Sequence, residues 1–235
     1  MARKIKIPNE ILKREARKEE KRKINFRQKR KYYLIVCEGQ ETEPNYFKGF
    51  KDDLPKGVLT SFQIDIAGTG RNTMTLVTEA LRLKAQYEKN NGRPVDKLWT
   101  VFDRDSFPAA DFNNAINFCN AATPVIGCAW SNEAFELWFL LHFHFYNTGM
   151  NRTQYEALIE ANLRPILGHN YNYEKNSLEM YNILKEHGNV ADAIARAESL
   201  AELYDGRTDY ANHNPCTMVH LLVKELQELQ LQEVN

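Results

Sequence analysis

The chain has 235 residues, is 43% hydrophobic, and carries 31 Lys and Arg against 31 Asp and Glu. That is enough to bury a substantial core, while its longest apolar stretch, Leu137 to Phe145, is broken by His142 and His144 and is too short to span a bilayer. Its four cysteines (Cys37, Cys119, Cys128 and Cys216) form no CxxC pair, which argues against a structural zinc site.

The neutral total hides an asymmetry. Residues 1–31 hold 14 Lys and Arg against four Glu; the remainder holds 17 against 27. Residues 1–30 read as a basic arm, either gripping a nucleic-acid backbone or acidic partner, or standing as a solvated helix with pairs such as Glu10 and Arg14. Met-Ala-Arg-Lys opens without an apolar h-region, so no signal peptide is expected, and thiols in apolar runs suit a reducing cytoplasm.

Residues 32–37 are β-branched and aromatic enough for a buried strand, ending at Glu38-Gly39. Glu43-Pro44 opens a short helix through Tyr46, Phe47 and Phe50. A strand is expected over Ser61–Ala67, then a Gly68-Thr69-Gly70-Arg71-Asn72 turn, then a long helix capped by Thr73 and ended by Asn90-Asn91-Gly92-Arg93-Pro94. A second acid-tipped strand covers 97–102 and runs into Asp103-Arg104-Asp105. A helix from Phe107-Pro108 to Phe118 and a strand from Pro124 to Trp130 follow. Strand and helix alternate, which predicts an α/β fold: a mainly parallel sheet flanked by helices, over about 31–147. Beyond it, 148–235 reads as mainly helical, with stretches near 151–162, 177–186, 190–204 and 217–232. Leu221, Leu222, Leu226 and Leu229 in the last pack within the chain or against another.

Function in open α/β sheets sits at the carboxyl ends of strands. Two such ends carry Glu38 and Asp103 with Asp105, and Glu41 and Glu43 lie close by. Asp103 and Asp105 are two apart and share one side if the chain is extended. Such a dense set of carboxylates needs cations or hydrogen bonds to offset its self-repulsion. Hard oxygen ligands of this kind suit Mg²⁺ or Mn²⁺, and the ion would serve phosphate chemistry. The plainer alternative for Asp103-Arg104-Asp105 is a surface loop that caps a helix.

Asn132 to Phe143 is expected to be helical, with Ser131 or Asn132 as its cap. Phe135, Trp138, Phe139 and His142 fall on one stripe, the pattern of a core face, and Glu136 faces elsewhere. Arg71 at the glycine-rich turn, Arg104 and Lys175 are candidate phosphate or nucleic-acid contacts. The turn lacks the Gly-Lys-Ser/Thr of a P-loop, so NTP hydrolysis is not expected. Tyr171-Asn172-Tyr173 either stacks on single-stranded bases or packs into the helical layer.

Cys-Glu-Gly-Gln-Glu-Thr-Glu-Pro-Asn-Tyr-Phe at 37–47, Val-Phe-Asp-Arg-Asp at 101–105 and Ser-Asn-Glu-Ala-Phe-Glu-Leu-Trp-Phe-Leu-Leu-His-Phe at 131–143 resemble the RloB-like family of the Toprim superfamily. The resemblance is strong over about 30–145 and weaker through Tyr173-x-Lys175 and Asn214-Pro215-Cys216-Thr217. It implies a Toprim-like fold and Mg²⁺ held by Glu38, Asp103 and Asp105, with Glu38 also assisting proton transfer. Glu43 matches the family's second acid, and Glu136 joins the catalytic candidates. Glu133 stands where the family pattern has proline. The resemblance further implies nuclease action on DNA or RNA, tRNA included, in phage defence beside an ATPase partner. Two alternatives stay open: a non-catalytic Toprim-like subunit of an ATPase-containing complex, and nucleotidyl transfer of the primase kind.

Overall fold

The computed structural model describes residues 31–55, 58–59, 62–69, 73–105 and 108–231, together with Glu10 and Lys13; for 62–64, 73–74 and 230–231 it describes the backbone alone. Lys31–Asn235 make one compact unit and Met1–Arg30 another. The expected basic arm, its Glu10–Arg14 pairing and Arg71 therefore lie outside the described residues.

Among the described residues, five strands form one sheet: β1 (Lys31–Cys37), β2 (Phe62–Gly68), β3 (Lys97–Asp103), β4 (Gly127–Asn132) and β5 (Cys216–Thr217). Their order is β2-β1-β3-β4-β5; the first four run parallel and β5 is antiparallel to β4. Helices α1 (Thr42–Asp53), α2 (Thr73–Asn91) and α3 (Ala109–Ala121) connect the parallel strands. The α/β reading therefore holds.

Period-two alternation in β1 splits the core into two layers. Tyr33, Ile35 and Cys37 face one cluster, with α1 residues Tyr46, Phe47 and Phe50. Tyr32, Leu34 and Val36 face the other, with α2 and α3 residues such as Leu76, Phe112 and Ile116. Both faces of β1 and β3 are covered, which is why these strands read as continuous apolar runs. The first layer is thickened by the C-terminal helices α4 (Glu136–Leu141), α5 (Arg152–Leu167), α6 (Met180–His187), α7 (Val190–Glu202) and α8 (Val219–Leu231).

Two boundaries differ from expectation. Pairing of β4 starts at Gly127 rather than Pro124, because proline has no N–H for the ladder and the Ile126 N–H is spent on the Cys119 carbonyl at 3.2 Å. Ser131 and Asn132 do not cap a helix. They still belong to β4 and pair with Thr217 and Cys216 of β5. The Ser131 and Thr217 hydroxyls share a 2.7 Å hydrogen bond, and Asn132 Nδ2 donates to the Ala211 carbonyl at 3.0 Å. Helix α4 consequently begins only at Glu136. The C-terminal region is mainly helical, as expected, and also supplies β5.

Gly127 is the Cα partner of Trp99 in the sheet. A Cβ added at Gly127 would lie 2.2 Å from the Trp99 ring. Trp99 is buried, so the indole has little room to retreat. Gly127→Ala is expected to lower stability by about 1–3 kcal/mol, read as a lower urea midpoint with an unchanged m-value.

Candidate active site

The strand order places a topological switch point between β1 and β3. The chain leaves β1 for β2 on one side and returns to β3 on the other, so the two carboxyl ends diverge and open a crevice. Glu38 is the first residue after β1 and Asp103 the last of β3. The Glu38 N–H donates to the Val101 carbonyl at 2.8 Å, extending the β1–β3 ladder to the crevice lip.

Three further elements contribute to this lip. Glu43, second residue of α1, is 6% exposed and accepts its own N–H and that of Gly39. A Cβ at Gly39 would fall 2.2 Å from Glu43 Oε2, so the close approach requires glycine. Glu136, first residue of α4, is 3% exposed and accepts the Tyr173 hydroxyl at 3.1 Å. Asp103 Oδ2 accepts the Phe135 N–H at 3.4 Å, tying β3 to the start of α4. From the first residue of α5, Arg152 brings a guanidinium to Asp105 (2.5 Å) and to Asp103 (3.5 Å).

Asp103 and Asp105 are not in one extended run, as their spacing had suggested. The strand stops at Asp103, and Asp105 sits in a turn at φ 42°, a conformation that Asp tolerates better than most residues. Arg152 nevertheless joins their carboxylates.

The acids are under strong mutual repulsion. Burial, then the charge of Glu43, pushes Glu38 up to about 8. Burial also raises Glu43, with Glu136 adding to it, and burial with Glu43 raises Asp103 well above the usual carboxylate range. Opposing these shifts is the Arg152 charge, felt by Glu38, Glu43 and Asp103 alike. Glu38 Oε2 is buried without a hydrogen-bond partner, as is Arg152 Nε.

In kind, this all-oxygen donor set and the orphaned Glu38 oxygen fit a hard divalent cation. In arrangement, Asp103 and Asp105 are engaged by the guanidinium. Among the described residues, no three His, Cys, Asp or Glu side chains stand as a group able to hold a metal ion.

The other candidates are placed as follows. Arg104 Nη1 reaches Glu133 at 3.5 Å, and Lys175 pairs with Glu156 at 3.2 Å. His142 is 4% exposed with Nδ1 bonded to the Trp138 carbonyl at 2.9 Å, a buried structural histidine on the core stripe. Tyr173 belongs to the segment after α5, which is fastened to α1 where Thr42 and Asn45 donate to the carbonyls of Lys175 and Asn176. Tyr173 packs against the core cluster, and its hydroxyl also holds Glu136. Arg152 went unremarked in the sequence: it lies far along the chain from the acids, and no local pattern pairs it with them. A strong carboxylate cluster lacking a nearby counter-charge is the signal that could have prompted a search for it.

No helix among the described residues is long and apolar enough to cross a membrane. No curated protein and no solved structure matches the chain. The family model described as RloB-like protein matches residues 33–226, which contain Glu38, Glu43, Asp103, Asp105, Glu136 and Arg152. The chain thus belongs to the RloB-like family.

Proposed function

We propose that the chain is a Mg²⁺- or Mn²⁺-dependent endonuclease of Toprim type, hydrolysing phosphodiester bonds in DNA or RNA as a phage-defence effector. The observation that carries this reading is the gathering of five carboxylates at the β1/β3 switch point, with one Glu38 oxygen buried and unpartnered. A purely structural site would not collect so much unneutralised acid, because burying carboxylates beside one another costs stability.

Glu38, Asp103 and Asp105 would hold the ion. Bound there, it supplies Lewis-acid stabilisation of the phosphate's developing charge and acidifies water. The residues themselves do the rest. Glu38, just past the end of β1 and with one oxygen free of hydrogen bonds, would accept a proton from the attacking water. Glu43 is held by two backbone N–H groups and Glu136 by the Tyr173 hydroxyl, so both keep a fixed orientation at the lip. The basic segment at 1–31 supplies sequence-independent affinity for a phosphate backbone.

A second reading, a non-catalytic Toprim-like subunit that docks to an ATPase, draws on one observation: Arg152 already satisfies Asp103 and Asp105. The deciding experiment incubates DNA, bulk RNA and tRNA with the full chain in Mg²⁺, Mn²⁺ or EDTA, beside Glu38→Ala, with and without an ATPase encoded nearby. Cleavage that needs metal and disappears in the variant is expected. Nucleic-acid or ATPase binding that survives Glu38→Ala, with no cleavage under any condition, would establish the second reading instead.

A further inference from the structure

We propose that Arg152 is an internal counter-ion that exchanges with the divalent cation: in the metal-free chain its guanidinium bridges Asp103 and Asp105, and when the ion takes those oxygens the freed guanidinium receives the substrate phosphate. This inference rests on the metal-dependent reading above.

The geometry carries it in three steps. First, Arg152 occupies the ligand atoms themselves. Asp103 Oδ2 and Asp105 Oδ2 are the oxygens that the guanidinium contacts. A divalent ion and a guanidinium cannot both sit on these two oxygens, because their charges repel at close range and each needs the same lone pairs.

Second, the Arg152 bridge is incomplete. Nε is buried and has no acceptor, although an unmade hydrogen bond at a buried N–H is costly. The non-bridging oxygens of a phosphate match the planar fork of an arginine and can accept two parallel N–H bonds from it.

Third, the side chain is partly open to solvent and starts at a helix N-terminus. It projects from the first residue of α5, whose start is fixed by a capping box between Asn151 and Gln154. The side chain is 38% exposed, so its outward path is open to solvent. The N-terminus of α5 also favours an anion beside it. Nearby cations are committed elsewhere, Arg104 to Glu133 and Lys175 to Glu156.

The exchange has a function in such a site. Without metal, Arg152 offsets the repulsion among the acids and holds Asp103 and Asp105 together. With metal, the same charge moves from the ligands to the substrate, so phosphate binding follows ion binding.

The test is Mn²⁺ titration calorimetry and thermal unfolding of the full chain, comparing wild type with Arg152→Gln, Arg152→Lys and Asp103→Asn. Arg152→Gln is expected to bind Mn²⁺ at least tenfold more tightly. It should also melt lower than wild type in EDTA and recover most of that loss in Mn²⁺. Its cleavage should nevertheless fall about 10²-fold for want of the phosphate contact. Arg152→Lys, which keeps the charge without the fork, should bind Mn²⁺ with an affinity between the two, and it carries the comparison if Arg152→Gln does not fold in EDTA. A purely structural arginine predicts the same melting loss with and without Mn²⁺, and that result overturns the exchange. So does Mn²⁺ binding by Arg152→Gln that is no tighter than wild type; the nuclease reading then stands, provided Asp103→Asn weakens Mn²⁺ binding. Mn²⁺ binding that is absent from every form overturns the metal reading and the exchange with it.

Discussion

Glu38→Gln is expected to reduce phosphodiester cleavage by at least about 10³-fold while making the metal-free protein more stable. The substitution keeps the size of the side chain, so the loss reports chemistry. It removes the proposed ligand oxygen and proton acceptor together, and effects of either kind commonly reach 10²–10⁴-fold. Stability moves the other way because burial and the charge of Glu43 lift the Glu38 carboxyl to about 8 from its ordinary 4.5. Between those pH values the folded chain holds a proton that the unfolded chain has released. Stability therefore falls as pH rises through that window. Glutamine cannot ionise, so the variant escapes the fall. Solvent reaching the side chain trims the gain to about 1–2 kcal/mol at pH 8, or roughly 2–8 °C in Tm for a chain of this size. At pH 4.5 the gain should vanish. Melting in EDTA at pH 4.5, 6 and 8 measures it, alongside cleavage assays in Mn²⁺. A variant that cleaves at wild-type rate removes Glu38 from the mechanism. A Tm difference independent of pH would mean that its charge is not what strains the fold.

The parallel sheet was legible because its strands are buried on both faces. Tyr32 to Cys37 is apolar throughout, and Leu98 to Phe102 is broken only by Thr100, whose hydroxyl is spent on the Gly127 carbonyl. What the sequence hid was pairing between distant segments. Cys216-Thr217 is too short to show any period, yet it claims Ser131 and Asn132 for the sheet. That pairing delays α4 to Glu136 and leaves Asn132 donating to the Ala211 carbonyl instead of capping a helix. A local cap signal was overruled by a contact more than eighty residues away.

The site divides in the same way. Glu38, Asp103 and Asp105 were readable because strand ends and carboxylates are local features, and Glu43 because it follows within one turn. Arg152 and the hydroxyl of Tyr173 were not, since each reaches the acids only through the packing of α5 and the segment that follows it. The acids announce a need for positive charge; only the fold shows that a residue of the chain already meets part of it. Lys175, a candidate phosphate contact in the sequence, is paired with Glu156, a partner that only the fold reveals.

Replacing His142 should change how the fold responds to acid. Burial, with the nearby charge of Arg196 adding to it, lowers the imidazole to about 4, while hydrogen bonds to the backbone resist the shift. The neutral ring donates from Nδ1 to the Trp138 carbonyl and packs edge-to-face on the Trp138 indole at 4.9 Å; the proton assignment follows from the carbonyl partner. Between pH 6.5 and 4 the unfolded histidine is protonated and the folded one is not, so stability is lost as pH falls through that window. The shift corresponds to about 2–3 kcal/mol by pH 4.5. The acid cluster responds in the opposite direction over the same range, because Glu38 gains its proton in the fold first. Wild-type stability is thus a balance of two trends, and only a comparison separates them. His142→Asn keeps an amide N–H near the Nδ1 position and cannot take up a proton. Its stability relative to wild type should improve by about 2–3 kcal/mol between pH 7 and 4.5 in urea titrations. The acid cluster contributes equally to both proteins and cancels, because His142 lies on the core stripe with Phe135 and Phe139 and outside the group of carboxylates. Parallel pH profiles for the two proteins would show that the imidazole titrates alike in the folded and unfolded chains, and that its burial carries no pH-dependent cost.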